Sequence, residues 1–366
     1  MAKLSNILTA RSSQGPSDNF KNLIINGAMQ VAQRGTSVAS ITTPDYYTVD
    51  RFGFNANTMG TYTMSQENDA PTGSGFRKSA KVLCTTADSS PAADDYIFLY
   101  QPIEGQNLQQ IKKGTASAEQ LTLSFWVKAN ATGTYIVELF DVDNSRSISK
   151  SYTVSASATW EYKTITFPAD TTGAFDNDNG NSLQLNWWLG VGSNRDSGTL
   201  QTTWGSRTTA NLAVGQTNLA SATNNYWQVT GVQLEVGDTA TPFEFKPYAQ
   251  DLLECQRYYY RNTPGTTNGY HCLAQVRSTT QVQGAFHLPT SMRTAPTSLD
   301  FSNIAVERGG IGVYAISAGT MGSTDISPNV VKLAFTNSAS GASSGQSINI
   351  INNGNAAGYI AVSAEL

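Results

Sequence analysis

From Leu23 to Tyr248 apolar residues recur at every second position in short runs. In "LTLSFWVKA", Leu121, Leu123, Phe125 and Val127 share one face, and Thr122, Ser124, Trp126 and Lys128 share the other. That alternation predicts a half-buried strand. "TYIVELFD", "WEYKTITFPAD" and "SLQLNWWLGVG" follow, separated by turn-rich stretches such as "NATG" and "FDNDNGN". Strands at this spacing, with no helices between them, predict an antiparallel sandwich with two apolar inner faces. In "YWQVTGVQLEV" the apolar phase changes: Trp227 and Val229 share one parity, while Val232, Leu234 and Val236 take the other. Gly231 lies at the change, where a bulge of one extra residue would keep a single face buried. Burial on both faces would give the same pattern.

"PYAQDLLECQRYYYRNTPG" breaks this rhythm, because Tyr248, Leu252, Cys255 and Tyr259 step by four, three and four. The spacing predicts a short helix with a narrow apolar seam, entered at Pro247 and closed by Pro264. A helix this short is unstable alone and must dock. Three copies burying their seams about a threefold axis would satisfy it, so Leu252, Cys255, Tyr258, Tyr259 and Tyr260 are candidate assembly contacts. Beyond it, "HCLAQVRS", "QVQGAFHLP", "LDFSNIAVE", "VVKLAFT" and "GYIAVSAEL" return to strand character. At the other end, Leu4, Ile7 and Leu8 fall at helical spacing before Gly15-Pro16, which reads either as a frayed terminus or as a docking segment. The expected organisation is an N-terminal docking arm (1–22), a jelly-roll domain (23–247), a connecting helix (248–263) and a C-terminal β domain (264–366). The fold class is all-β: an antiparallel jelly-roll sandwich, the short helix, then a smaller distal β-sandwich.

Composition narrows the function. Only 14% of residues are charged and the formal net charge is −4, so no basic surface for nucleic acid is expected. No stretch is long and apolar enough to insert in a membrane, and the first residues lack the apolar core of an export signal. Three widely separated cysteines, Cys84, Cys255 and Cys272, suit reduced thiols rather than a disulfide framework.

Candidates for chemistry are sparse. No nucleophile elbow, phosphate-binding loop or zinc-helix motif occurs, and His271 and His287 both lie in strand-like runs. Asp141 and Asp143 would point the same way from one strand, and "FDNDNG" offers Asp176 and Asp178; same-face i, i+2 residues stand about 7 Å apart, a separation that glycoside hydrolysis permits. Acidic residues also gather in turns for conformational reasons alone. The run "FDNDNGN" offers oxygens for a hard cation without matching an EF-hand loop. No catalytic residue, metal or cofactor is therefore assigned. The sharper candidate is a binding face. If Leu183, Leu185, Trp187 and Leu189 fill the core, then Gln184, Asn186 and Trp188 project outward, as Trp126 does on its own strand. Outward tryptophan beside amides suits a sugar ring and its hydroxyls. Covering loops or a second subunit would also account for these tryptophans.

Several stretches resemble a known family. "NLIINGAMQVAQRG" at 22–35, "YYTVDRFGF" at 46–54 and "WQVTGVQLEVGDTATPFEFKPYAQDLLECQRYYYR" at 227–261 resemble segments of bacteriophage tail-fibre and minor virion structural proteins. "LTLSFWVKANATGTYIVELFD" and "WEYKTITFPAD" resemble the jelly-roll carbohydrate-binding modules of glycan-degrading enzymes, and "AGYIAVSAEL" resembles the closing strand of the phage proteins. The resemblance implies a non-enzymatic, homotrimeric virion protein assembled in the host bacterial cytoplasm. A tail fibre is the implied position, attached to other virion proteins through the N-terminal arm and meeting a host surface glycan or receptor. A capsid-surface fibre or decoration protein, or a glycan-cleaving depolymerase, are the alternatives. Sugar-binding jelly rolls often close with a strand bearing an acidic metal ligand. Here that run is Val232-Gln233-Leu234-Glu235, which leaves calcium open.

Overall fold

The alternating runs become strands, and their parity decides what each sheet buries. The computed structural model describes residues 21–309, 312–337 and 342–366, apart from the side chains at 323 and 324. Leu4, Ile7 and Leu8 of the expected docking arm lie outside these residues. The chain divides into two compact units, one holding 21–30, 36–47 and 52–246 of the described residues, the other holding Val31–Gly35, Thr48–Arg51 and Pro247–Leu366.

The first unit is a jelly-roll sandwich of two six-stranded antiparallel sheets, numbered here in chain order. One sheet runs β1 (Ser37–Ile41), β3 (Thr61–Glu67), β4 (Ser79–Thr86), β12 (Tyr226–Val236), β6 (Leu121–Ala129) and β9 (Glu161–Phe167). The other runs β11 (Gly205–Ser206), β8 (Arg146–Val154), β7 (Gly133–Asp141), β10 (Asn181–Val191), β5 (Tyr96–Glu104) and β2 (Gly53–Asn57). Between them Trp187 of β10 meets Phe125 of β6 and Trp227 of β12, with ring centroids 6.0 and 6.3 Å apart. The indole N–H of Trp227 donates to the Tyr152 hydroxyl at 3.0 Å, so this large polar group enters the core satisfied.

The phase change in β12 is a bulge. Its register against β6 slips between Thr230 and Gln233, and Gly231 adopts φ +63°. Trp227, Val229, Val232 and Leu234 are consequently all buried. A β-carbon on Gly231 would stand 2.6 Å from the Phe76 ring, so glycine is needed for both conformation and space. The segment "NLIING" is explained by the same strand. Asn22 donates to the Val232 carbonyl at 3.0 Å and accepts from the Leu234 N–H at 3.1 Å, while Val232 N–H donates to the Gly27 carbonyl at 2.9 Å. On the outer face Gln233 and Glu235 hold the returning chain: Glu235 accepts from Thr241 N–H at 2.9 Å, and Gln233 accepts from Glu244 N–H at 2.8 Å.

The second unit is also antiparallel β and smaller. Six strands close into a barrel in the order β14 (Tyr270–Ser278), β15 (Gln281–His287), β19 (Val330–Asn337), β18 (Gly312–Ile326), β17 (Ile304–Arg308) and β20 (Ser347–Asn352). A three-stranded sheet of β13 (Tyr259–Asn262), β21 (Tyr359–Ser363) and β16 (Ser298–Ser302) completes it. Where a smaller distal β-sandwich was expected, six strands close on one another around Val276, Phe286, Val306, Leu333, Phe335 and Ile350, which leaves the barrel strands no free edge.

The helix spans Tyr248–Gln256 and has Pro247 at its N-cap, as expected. It ends well before Pro264, because Tyr259 already belongs to β13. The expected seam therefore breaks: Cys255 and Tyr259 are buried, Leu252 is half-buried, and Tyr248 is 54% exposed.

Candidate functional site

The outer face of the first jelly-roll sheet carries an aromatic shelf. Trp126 on β6 sits directly opposite Tyr162 on the edge strand β9, with ring centroids 5.3 Å apart and planes at 49°. Tyr162 is 47% exposed, and Trp126 is half-buried. Trp160, two residues before Tyr162 and on the same parity, adds a third ring. Its indole N–H donates to Asp69 at 3.2 Å. Lys128, next outward along β6 from Trp126, pairs with the same carboxylate and lies 5.5 Å from the Trp160 ring centroid. Gln228 also donates to Asp69, at 3.3 Å. Burial alone would raise the Asp69 pKa, but the bonds from Lys128, Trp160 and Gln228 outweigh it and hold the carboxyl below its ordinary range. The loop bearing Asp69 borders an open hollow of about 490 Å³, lined by Asn68, Ala70, Pro71, Thr72, Phe76 and Arg77 among others. The result is a set of flat apolar plates whose rim donors and acceptors are held in place by one carboxylate.

Trp188, Gln184 and Asn186 do not join this shelf. They lie on β10, in the other sheet, and Trp188 is only 1% exposed. Its ring packs on Phe98 at 4.9 Å within a second apolar cluster, where Leu212 and Ala213 from a later loop cover it. The buried polar groups of that face are used internally. Glu138 accepts from Asn186 at 3.1 Å, from the Trp188 indole at 3.2 Å and from Arg207 at 2.7 Å, while Gln184 donates to Asn186 at 2.6 Å. Of the four residues expected to form one sugar plate, Trp126 alone lies on this shelf; Gln184 is half-buried on the other sheet, and Asn186 and Trp188 are buried. Trp160 and Tyr162 were missed, although the alternation of "WEYKTITF" already puts them on one side.

The carboxylate pairs are engaged structurally. Asp141 is fully buried and paired with Lys113, and Asp143 accepts from the Asp176 N–H at 2.9 Å. Asp178 is exposed and caps its own turn through the Gly180 N–H at 2.8 Å. Glu235, the acidic residue of the closing strand, is held by Thr241 and Gln233. His271 shares a 2.7 Å hydrogen bond with Asn352 in the barrel unit, and burial lowers its pKa. His287 is exposed at the end of β15. Among the described residues no three His, Cys, Asp or Glu side chains are grouped to hold a metal ion.

The candidate assembly tyrosines are occupied within their own unit. The Arg51 guanidinium lies 3.5 Å over the Tyr258 ring, Arg34 lies 3.6 Å over Tyr259, and Tyr260 stacks on Phe286 at 5.6 Å. Cys255 is fully buried, so of the five proposed contacts only Leu252 and Tyr260 keep some exposed surface. What the helix presents outward instead is Tyr248 and Leu253.

No protein-family model matches the chain, and no curated protein does. Among solved structures it is similar to the enzymatically active domain of tailspike protein 4 from bacteriophage CBA120 (TM-score 0.32, 12% identity, 59% of this chain). It spans only 21% of that protein's length. It is also similar to the TmCBM61 module in complex with β-1,4-galactotriose (TM-score 0.29, 8% identity, 59% of this chain and 99% of that one). A third likeness is to the family 11 carbohydrate-binding module of a Clostridium thermocellum cellulosomal cellulase (TM-score 0.29, 12% identity, 56% and 98%). Likenesses at these scores carry no argument by themselves, and the jelly roll rests on the strand order above.

Proposed function

We propose that the chain is a non-enzymatic bacteriophage virion fibre protein whose jelly roll binds a glycan of the host surface through Trp126, Trp160 and Tyr162. The observation that carries the glycan reading is the exposed Tyr162 ring paired with Trp126 beside the Asp69–Lys128 rim. Flat apolar rings bury the carbon face of a pyranose, and fixed polar neighbours take its hydroxyls. The virion and tail-fibre parts rest on the sequence resemblance. The homotrimer part likewise rests on the sequence resemblance.

A glycan array followed by calorimetric titration of the best ligand tests the binding face. Trp126→Ala combined with Tyr162→Ala should weaken binding at least about tenfold, or ~1.4 kcal/mol. Unchanged affinity in the folded double variant would remove the shelf from the reading. Electron microscopy of labelled virions should place the protein on the tail, and labelling confined to the head would favour the capsid-fibre alternative.

A further inference from the structure

Among the described residues of the jelly roll, Lys113 is the most deeply enclosed cation. It follows a short 3-10 turn, and its side chain is 3% exposed. The ammonium is surrounded by oxygen: Asp141 at 2.5 Å, Asp170 at 3.1 Å, the Gly173 carbonyl at 2.7 Å and the Thr172 carbonyl at 2.9 Å. Asn144 donates to both Asp141 oxygens at 3.2 and 3.1 Å, which fixes that carboxylate, and Arg146 does the same for Asp170 with two bonds of 2.9 Å. The rings of Phe175 and Trp204 lie 5.1 and 5.4 Å from the ammonium nitrogen.

Two carboxylates and two main-chain carbonyls converging on one point are the donor set of a hard cation such as calcium. Calcium–oxygen distances of about 2.3–2.6 Å would need this cage to contract by only a few tenths of an ångström on average. Ammonium differs in having three protons to donate, and four oxygens at hydrogen-bond distance accommodate them. A hollow of about 170 Å³ is lined by Lys113, Thr115, Ala174 and Phe175, on the chain segments that bear the lysine and flank the cage carbonyls.

We propose that the Lys113 ammonium is a resident cation occupying a hard-cation cage, and that the cage takes a calcium-class ion once the lysine is shortened. The jelly roll thus carries its own substitute for a structural metal, and its stability is independent of calcium. This does not rest on the glycan reading. Without Lys113, Asp170 keeps its pair with Arg146 while Asp141 keeps only the neutral Asn144 amide, and an incoming divalent ion replaces the lost charge.

The test uses the full chain with Lys113→Ala and Lys113→Met, melted in chelator and in calcium, and titrated with terbium(III) under tryptophan excitation, with Trp204 as the built-in sensitiser. The wild type should melt identically in chelator and calcium. Lys113→Ala should show saturable terbium emission above the wild type, competed by calcium, and should melt several degrees higher with calcium. Lys113→Met, whose side chain refills the space without charge, should show neither effect. Wild-type melting that falls in chelator would overturn the proposal. So would a Lys113→Ala protein that gains neither emission nor calcium-dependent folding, and so would equal gains in Lys113→Met, which would put the ion elsewhere.

Discussion

Asp170 in the jelly roll and Asp50 in the second unit are both buried carboxylates, and their surroundings push them in opposite directions. Burial would raise Asp170, but the bonds from Arg146, Lys113 and the Thr172 N–H outweigh it and hold its pKa below the ordinary range. Asp50 accepts two bonds from Gln33, at 2.9 and 2.5 Å, and the Arg34 charge also favours its ionised form. Glu365, which pairs with Arg34 and Arg51, adds repulsion, and burial prevails: the carboxyl is pushed up to about 6. Asp50 is the more deeply buried of the two, and its donors carry less charge, so burial and the donors together decide the sign.

The largest test of the two-unit comparison is in the cores. Trp187→Ala in the jelly roll and Phe286→Ala in the barrel should each cost about 3–5 kcal/mol. By scanning calorimetry each should lower a different transition, and a common shift in both would show one cooperative unit. Next is acidity. Because the folded pKa of Asp50 is raised, its contribution is fully present below about 4 and is lost as pH rises through about 6. At roughly 1.4 kcal/mol per unit, the change is on the order of 3 kcal/mol. Asp50→Asn should flatten that dependence and stabilise the second unit at pH 7. Asp170 has a lowered pKa, so its contribution is present above the ordinary carboxylate range and is lost as pH falls through its depressed value. Melting against pH should separate these opposite slopes.

Smaller effects sharpen the picture. Gly231→Ala should cost about 1–2 kcal/mol for its left-handed backbone, plus displacement of Phe76. Gly354→Ala in the second unit has a similar φ of +66° and open space around it, so it should cost only the backbone part. Urea unfolding of both variants measures the difference. Smallest is Lys112→Ala. Its pair with Glu119 is exposed, and its removal should change stability by less than about 0.5 kcal/mol.

Much of the jelly roll was legible because strand parity is a local property. Leu121, Leu123, Phe125 and Val127 announce their face within nine residues, and the bulge at Gly231 follows from one shift of parity in β12. The seam of the helix was misread at its end, since the spacing that continues to Tyr259 cannot show that the backbone has already become β13. Closure of the distal barrel was equally hidden, because closure depends on which edge strands meet, and β14 pairs with β20 across about seventy residues.

The candidate site divides along the same line. By itself the sequence determined that Trp126, Trp160 and Tyr162 point away from one core and that Trp188 points away from the other sheet, because side chains alternate along a strand. Tertiary structure alone decided which of these rings stays open. Leu212 and Ala213 return over Trp188, Tyr162 stays 47% exposed among the described residues, and Lys113 meets Asp141 and Asp170 from a separate turn. Parity is set by the backbone between neighbouring residues, whereas cover and charge pairing are set by segments distant in sequence, which no local pattern encodes.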